Sequence, residues 1–119
     1  CCVRKFKEWI LANAIATQEE IDEIEKTGKK EVNDAKKASW EAYLNPIKAE
    51  RNEVVDCITK IVQESANASF IQPLLDGLKS NTEPLRKDII SAAKKTLRLV
   101  RNENISAKAE LATLLKIAA

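Results

Sequence analysis

The spacing of apolar residues is the feature that most limits what this chain can fold into. Apolar side chains recur every three or four residues along most of the sequence, and no segment alternates apolar and polar residues as a strand does. The composition agrees, because Ala, Lys, Glu, Leu and Ile dominate and the 119 residues include only two Gly and three Pro. The sequence therefore predicts an all-α fold.

Capping residues place the first helix boundaries. The spacing predicts a helix over residues 3–12 and a second over residues 18–44. Between them, Thr17 and Glu20 form a capping-box pattern: the Thr17 hydroxyl can accept the Glu20 backbone N–H, and the Glu20 carboxylate can reach back. This is the strongest helix start in the sequence.

Asn45 and Pro46 predict an interruption after the second helix, because Asn favours the N-cap and Pro the first helical position. The pair either separates two helices or bends one long helix that continues to about residue 64. With the helices that follow, we expect a bundle of about five to six helices, in which the second and third form a long kinked or hairpin helix pair.

Three shorter helices are predicted in the remainder of the chain. The first begins near Phe70 and should end within a few residues of Gly77. Thr82 is the predicted N-cap of the next, which runs to about residue 101, and the last begins after Ser106.

One face of the second helix is unusual because most of its residues are small. Gly28, Ala35, Ser39 and Ala42 leave little side chain to fill a gap, so a partner helix is expected to come close. The full stripe consists of Ile21, Ile24, Gly28, Val32, Ala35, Ser39, Ala42 and Tyr43. Gly28 costs about 1 kcal/mol relative to Ala inside a helix, and either a close crossing or a local kink would explain it.

No residue is predicted to act as a catalyst, to bind a cofactor or to hold a metal. The chain has no His, and its acidic cluster at residues 19–25 is explained by the helix start that it occupies. Its two glycines are too isolated to form a phosphate-binding loop. Cys1, Cys2 and Cys57 cannot supply four zinc ligands, and we expect reduced thiols, with Cys57 in the core or at its edge.

A row of basic residues and Trp40 could each take part in binding, and each also has a purely structural explanation. Lys87, Lys94, Arg98 and Arg101 align on one helix face, which could contact phosphates or an acidic partner, or could be a solvated face. Trp40 lies about a quarter-turn from the centre of the second helix's stripe, where an aromatic side chain marks an interface or packs within the chain. The first half of the chain also holds the other tryptophan, Trp9.

Size and composition fit a single helical domain, 1–119, in the cytoplasm. Hydrophobic residues make up 45% and charged residues 32%, and no apolar run or signal-peptide pattern suggests a membrane span or export. Because the chain contains no Met, we expect it to be an internal piece of a longer protein.

Three segments together resemble a known family. They are FKEWIL at residues 6–11, IATQEEIDEIE at 15–25 and EVNDAKKA at 31–38. They are similar to the C-terminal region of the alpha subunit of thiamin diphosphate-dependent 2-oxoacid dehydrogenases, and WEAYLNPIK at 40–48 resembles the helical connection in members that fuse alpha and beta halves. The resemblance covers about residues 5–50 well.

The resemblance implies that residues 1–45 are an alpha-subunit tail and residues 46–119 a helical connector. The parent enzyme would use thiamin diphosphate and magnesium for oxidative decarboxylation of a 2-oxoacid of the pyruvate or branched-chain type. The family's G-D-G…N-N cofactor motif and its catalytic histidines are absent here. The segment would then dock or space the other halves or subunits of the oxidoreductase. The alternative is a stand-alone helical protein-interaction module, which could form a homo-oligomer.

Overall fold

A computed structural model describes residues 1–118, with the side chains of residues 1–117. In that range it contains five helices and no strand, which confirms the all-α prediction. The helices are α1 (Cys2–Ala12), α2 (Gln18–Glu64), α3 (Ala68–Ser80), α4 (Arg86–Leu99) and α5 (Ser106–Ala118).

The helix α2 passes through Asn45 and Pro46 without ending, so of the two predicted alternatives the structure shows one long helix and not two helices separated at these residues. Proline removes one backbone donor and costs about 3 kcal/mol inside a helix. Leu44 and Ile47, on either side of the pair, are both 4% exposed. A continuous helix keeps these two side chains in the core, and that burial offsets the cost of Pro46.

The chain divides into two compact units, Cys1–Glu41 and Ala42–Ala119. The second unit has a packed core, to which the C-terminal part of α2 and the helices α3, α4 and α5 all contribute. Its most deeply buried apolar side chains are Ile58, Ile61, Ile71, Ile89, Val100 and Leu111. Ile58 and Ile61 lie three residues apart on α2, the spacing that places two side chains on one face of a helix.

The start of α4 differs from the prediction. Thr82 was expected to cap the helix, but α4 begins at Arg86. Pro84, whose ring is buried, disfavours helical geometry at Glu83, and Leu85 is extended at φ −102° and ψ 152°, so the helix begins only after Leu85. The observed start is instead stabilised by Asp88, whose Oδ2 accepts the backbone N–H of Leu85 at 3.1 Å.

Side-chain hydrogen bonds hold the turns of the second unit in place. The Asn67 Nδ2 in the turn after α2 donates to the backbone oxygen of Leu99 at 3.0 Å and to Glu103 Oε1 at 2.8 Å. The Arg51 Nη1 donates to the backbone oxygen of Asn81 at 2.8 Å. These bonds connect α2 and the turn that follows it to later loops, so the second unit is joined by polar contacts as well as by its core.

Cys57 lies in this core with 2% of its surface exposed, as expected from its position beside the apolar stripe. Desolvation, and to a smaller extent the negative charge of Glu110, raises the pKa of the Cys57 thiol. Because the thiolate is the reactive form and the side chain is covered, labelling of Cys57 requires the bundle to open.

We expect Cys57 to react with a disulfide reagent at least ~100-fold more slowly than the exposed Cys1 and Cys2. Absorbance of the released thiolate at mildly alkaline pH measures this difference directly. In denaturant all three thiols should react at similar rates, which controls for intrinsic reactivity. Three equally fast thiols in the native protein would contradict the placement of Cys57 in the core.

Candidate functional site: the exposed apolar surface of the first unit

The first unit has no core of its own. None of residues 1–41 is buried, and residues 29–43 are exposed without exception. The partly covered positions are Lys7, Ile10, Leu11, Ala16, Ile21 and Gly28. A helical hairpin with so little burial gains little from packing, and isolated helices of this length are marginal in water.

The capping box at the start of α2 is present as the sequence predicts. The Glu20 backbone N–H donates to Thr17 Oγ1 at 3.3 Å, and the Thr17 backbone N–H donates to Glu20 Oε2 at 2.9 Å. Just before it, the chain leaves α1 through Asn13, whose Nδ2 donates to the Trp9 backbone oxygen at 2.8 Å, and through Ala14 at a φ of 52°. These local contacts fix the turn that joins the two helices.

Replacing Thr17 by Ala should weaken the start of α2. Loss of an N-cap costs about 1 kcal/mol, which corresponds to about a fivefold loss of amide protection in the first turn. Hydrogen exchange followed by NMR at residues 19–21 measures this loss. Glu23→Ala is the matched control, since Glu23 lies one turn further along α2 and makes no capping contact. Unchanged protection in Thr17→Ala would show that the cap does not stabilise this helix start.

A lysine on α1 joins the two helices of the first unit. The Lys7 Nζ lies 3.1 Å from Glu25 Oε1 and 3.6 Å from Asp22 Oδ1. The hydrogen bond to Glu25, followed by the two carboxylate charges, raises the pKa of Lys7 above its ordinary value. Because the lysine pKa is raised, Lys7 stabilises the hairpin throughout the neutral range, and this contribution is lost as the pH rises through the folded pKa of Lys7.

Large apolar side chains lie on the surface of both helices of the first unit. Phe6 and Trp9 are 61% and 53% exposed, and their rings stack with centroids 5.9 Å apart. On α2, Ile24 and Val32 are 69% and 68% exposed. We name the set the unit 1 apolar surface and define it as Val3, Phe6, Trp9, Ile15, Ile24 and Val32.

The close helix crossing that the small residues of α2 predict is not made by the described part of this chain. A Cβ built at Gly28 would meet nothing within 4 Å. Shallow hollows of about 620 Å³ and 510 Å³ flank this position, the first lined partly by Ile24 and the second partly by Val32. Gly28 therefore leaves open space beside two exposed apolar side chains, into which another molecule can pack.

The spacing of apolar residues predicts the helix at residues 3–12 but does not show that Phe6 and Trp9 are exposed. Of the apolar residues Val3, Phe6 and Ile10, only Ile10 is partly covered and the other two are exposed. The spacing of Phe6 and Trp9 could have predicted that their rings stack, because side chains three residues apart on a helix are neighbours. Trp40, the other candidate, is 48% exposed and borders a hollow of about 260 Å³.

The predicted basic residues lie on the surface of the second unit. Lys87, Lys94 and Arg98 are exposed on α4, and Arg101 is exposed just beyond the end of that helix. They form a candidate site of the second unit.

The described residues hold no cluster of three or more Cys, Asp and Glu side chains suited to a metal ion. Nor does any helix between residues 1 and 118 combine the length and apolarity needed to cross a bilayer. What the first unit offers chemically is apolar area, aromatic rings and flanking charges, which suit association with another molecule. When the chain was compared with protein-family models, curated proteins and solved structures, no match was found.

Proposed function

We propose that this chain is a non-catalytic docking and linker segment of a cytoplasmic thiamin diphosphate-dependent 2-oxoacid dehydrogenase of the pyruvate or branched-chain type. In this proposal, another half or subunit of the enzyme covers the unit 1 apolar surface, and the second unit is a folded connector. The observation that carries the docking role is that residues 1–41 hold seven exposed large apolar side chains, the six of the unit 1 apolar surface and Trp40, and no buried residue.

The energetics favour a covered state for the first unit. Full burial of one large apolar side chain contributes about 1.5–3 kcal/mol, and aromatic residues are enriched among those that dominate binding energies. Phe6 and Trp9 can enter an interface as one preformed stacked pair, which limits the side-chain entropy lost on binding. A partner would thus supply the packing that the hairpin lacks.

The parent enzyme is proposed from the sequence resemblance, whose core is the capped helix after Thr17. The bonds between Thr17 and Glu20 show that this helix is capped as its sequence predicts. The enzyme would bind thiamin diphosphate and magnesium in its catalytic halves and decarboxylate a 2-oxoacid there. This segment would contribute surface, orientation and spacing to that reaction.

The reading frame around the segment tests the parent enzyme. We expect a thiamin diphosphate-binding motif upstream of Cys1 and a transketolase-like beta half downstream of residue 119. Flanking sequence with neither would end this assignment and leave the docking surface to be explained by another partner.

A stand-alone interaction module that pairs with its own copy is the second candidate, favoured by the open stripe around Gly28 and Ala35. It predicts that the 119-residue chain sediments as a dimer and that Ala35→Glu converts it to a monomer, because the charge would enter the close contact. A monomer unaffected by Ala35→Glu would rule this candidate out.

A further inference from the structure

A second surface lies on the other unit, in the groove between α3 and α4. The groove has a volume of about 330 Å³. Pro73, Leu74 and Gly77 line it from α3, and Ala92 and Lys95 line it from α4. A Cβ built at Gly77 would meet nothing within 4 Å, so the floor is open to an incoming side chain.

An exposed aromatic residue extends this groove. Phe70 is 67% exposed and precedes Leu74 by four residues and Gly77 by seven, so it lies on the same face of α3. The apolar area therefore extends along α3 for about two turns, from Gly77 back to Phe70. That length matches the spacing with which an amphipathic helix presents its anchoring side chains.

Basic residues lie on the helix α4 that forms one wall of the groove. Lys95 lines the groove, and Lys87, Lys94 and Arg98 are exposed elsewhere on α4; within residues 1–118 none of the four makes an ion pair. They span about 16 Å along the helix. Asp88 also lines the groove and contributes one negative charge, and its Oδ2 accepts the Leu85 backbone N–H. The four cations outnumber this carboxylate, so α4 presents net positive charge beside the groove.

We propose that this groove binds an acidic amphipathic segment of a partner protein. The segment's apolar side chains would pack on Leu74, on Phe70 and above Gly77, while its carboxylates would face Lys95 and Arg98. This inference goes beyond the docking function proposed for the first unit and does not depend on the identity of the parent enzyme.

Charge complementarity and the apolar lining together favour a protein segment over nucleic acid. A nucleic acid would engage the cations, but it would leave the aliphatic groove unused, and single strands are held by several stacked aromatic rings. Phe70 is the exposed aromatic residue of α3. An acidic amphipathic helix would contact both the apolar groove and the basic residues of α4.

The probe is a fluorescein-labelled peptide of about 18 residues with Leu at helical spacing and Glu elsewhere, titrated with the full chain and read by fluorescence anisotropy. A scrambled peptide of the same composition removes the amphipathic face. A peptide with Lys in place of Glu reverses the charge, and a DNA strand of similar net charge tests nucleic acid. We expect the acidic peptide to bind at least ~10-fold more tightly than each of the others.

Two variants test the two halves of the groove separately. Replacing both Lys95 and Arg98 by Glu should weaken binding of the acidic peptide at least ~10-fold, because the new carboxylates repel those of the peptide. Gly77→Gln should weaken it by a similar factor by filling the groove, without altering its charge, and the open space at Gly77 lets the fold accommodate the longer side chain. Lys79→Glu is the matched control on α3, exposed and outside the groove lining, and should change binding less than ~3-fold.

Circular dichroism on each variant confirms that the bundle remains folded. Equal binding of the scrambled peptide, preference for DNA, no binding of the acidic peptide, or an equal loss in Lys79→Glu would each overturn the proposal.

Discussion

Ile58→Ala is expected to lower the free energy of unfolding of the second unit by about 3–4 kcal/mol. Ile58 is fully buried on α2 and packs in a core to which all four helices of that unit contribute. Truncation removes the transfer free energy of its side chain and leaves a cavity that a close-packed bundle fills only in part. Denaturant unfolding followed by far-ultraviolet circular dichroism measures the effect.

Ile24→Ala is the matched control, with the same change of side chain on the same helix. Because Ile24 is 69% exposed, its replacement should shift the unfolding free energy by no more than ~0.5 kcal/mol. Circular dichroism suits this comparison better than tryptophan fluorescence, since Trp9 and Trp40 both lie in the first unit. Similar losses in the two variants would contradict the burial pattern of α2.

The second large effect is expected on the affinity of the chain for the partner that covers the unit 1 apolar surface. Replacing both Phe6 and Trp9 by Ala should weaken binding of the chain to its covering partner at least ~100-fold, because such aromatic anchors contribute about 2–4 kcal/mol each. The stability of the second unit should stay unchanged, since both side chains are exposed in the first unit. Titration calorimetry against the separately purified catalytic halves of the parent enzyme measures the affinity.

Lys26→Ala controls for nonspecific effects on the first unit. Lys26 is exposed on α2, on the side opposite the apolar stripe, and should change the affinity less than ~3-fold. An aromatic double variant that binds as tightly as the unaltered chain would remove Phe6 and Trp9 from the interface.

Local interactions are the part of the fold that the sequence predicts well. The capping box formed by Thr17 and Glu20 and the start of α5 at Ser106 depend on residues within one helical turn, and the structure confirms both. Asn45 with Pro46 left open whether one helix or two would form, and Thr82 placed the start of α4 too early. At those positions the burial of Leu44 and Ile47 and the ring of Pro84 outweigh the local preference.

The candidate sites were predictable only in part, because periodicity reveals an apolar face but not what covers it. The stripe through Gly28 was predicted, yet only the structure shows that no described part of the chain packs against Gly28. The sequence also predicted that Lys87, Lys94, Arg98 and Arg101 share one helix face. It did not single out Lys95, which lines the groove, because the groove arises from the pairing of α3 with α4 and no single-helix pattern specifies that pairing.

The central claim is that the first unit, unlike the second, has no core to hold its helices, and hydrogen exchange of the whole chain tests this most directly. Both regions can be compared within the single helix α2. We predict that amides at residues 29–40 exchange at least ~100-fold faster than those at residues 54–61, corresponding to about 3 kcal/mol less protection. Equal protection along all of α2 would contradict the claim.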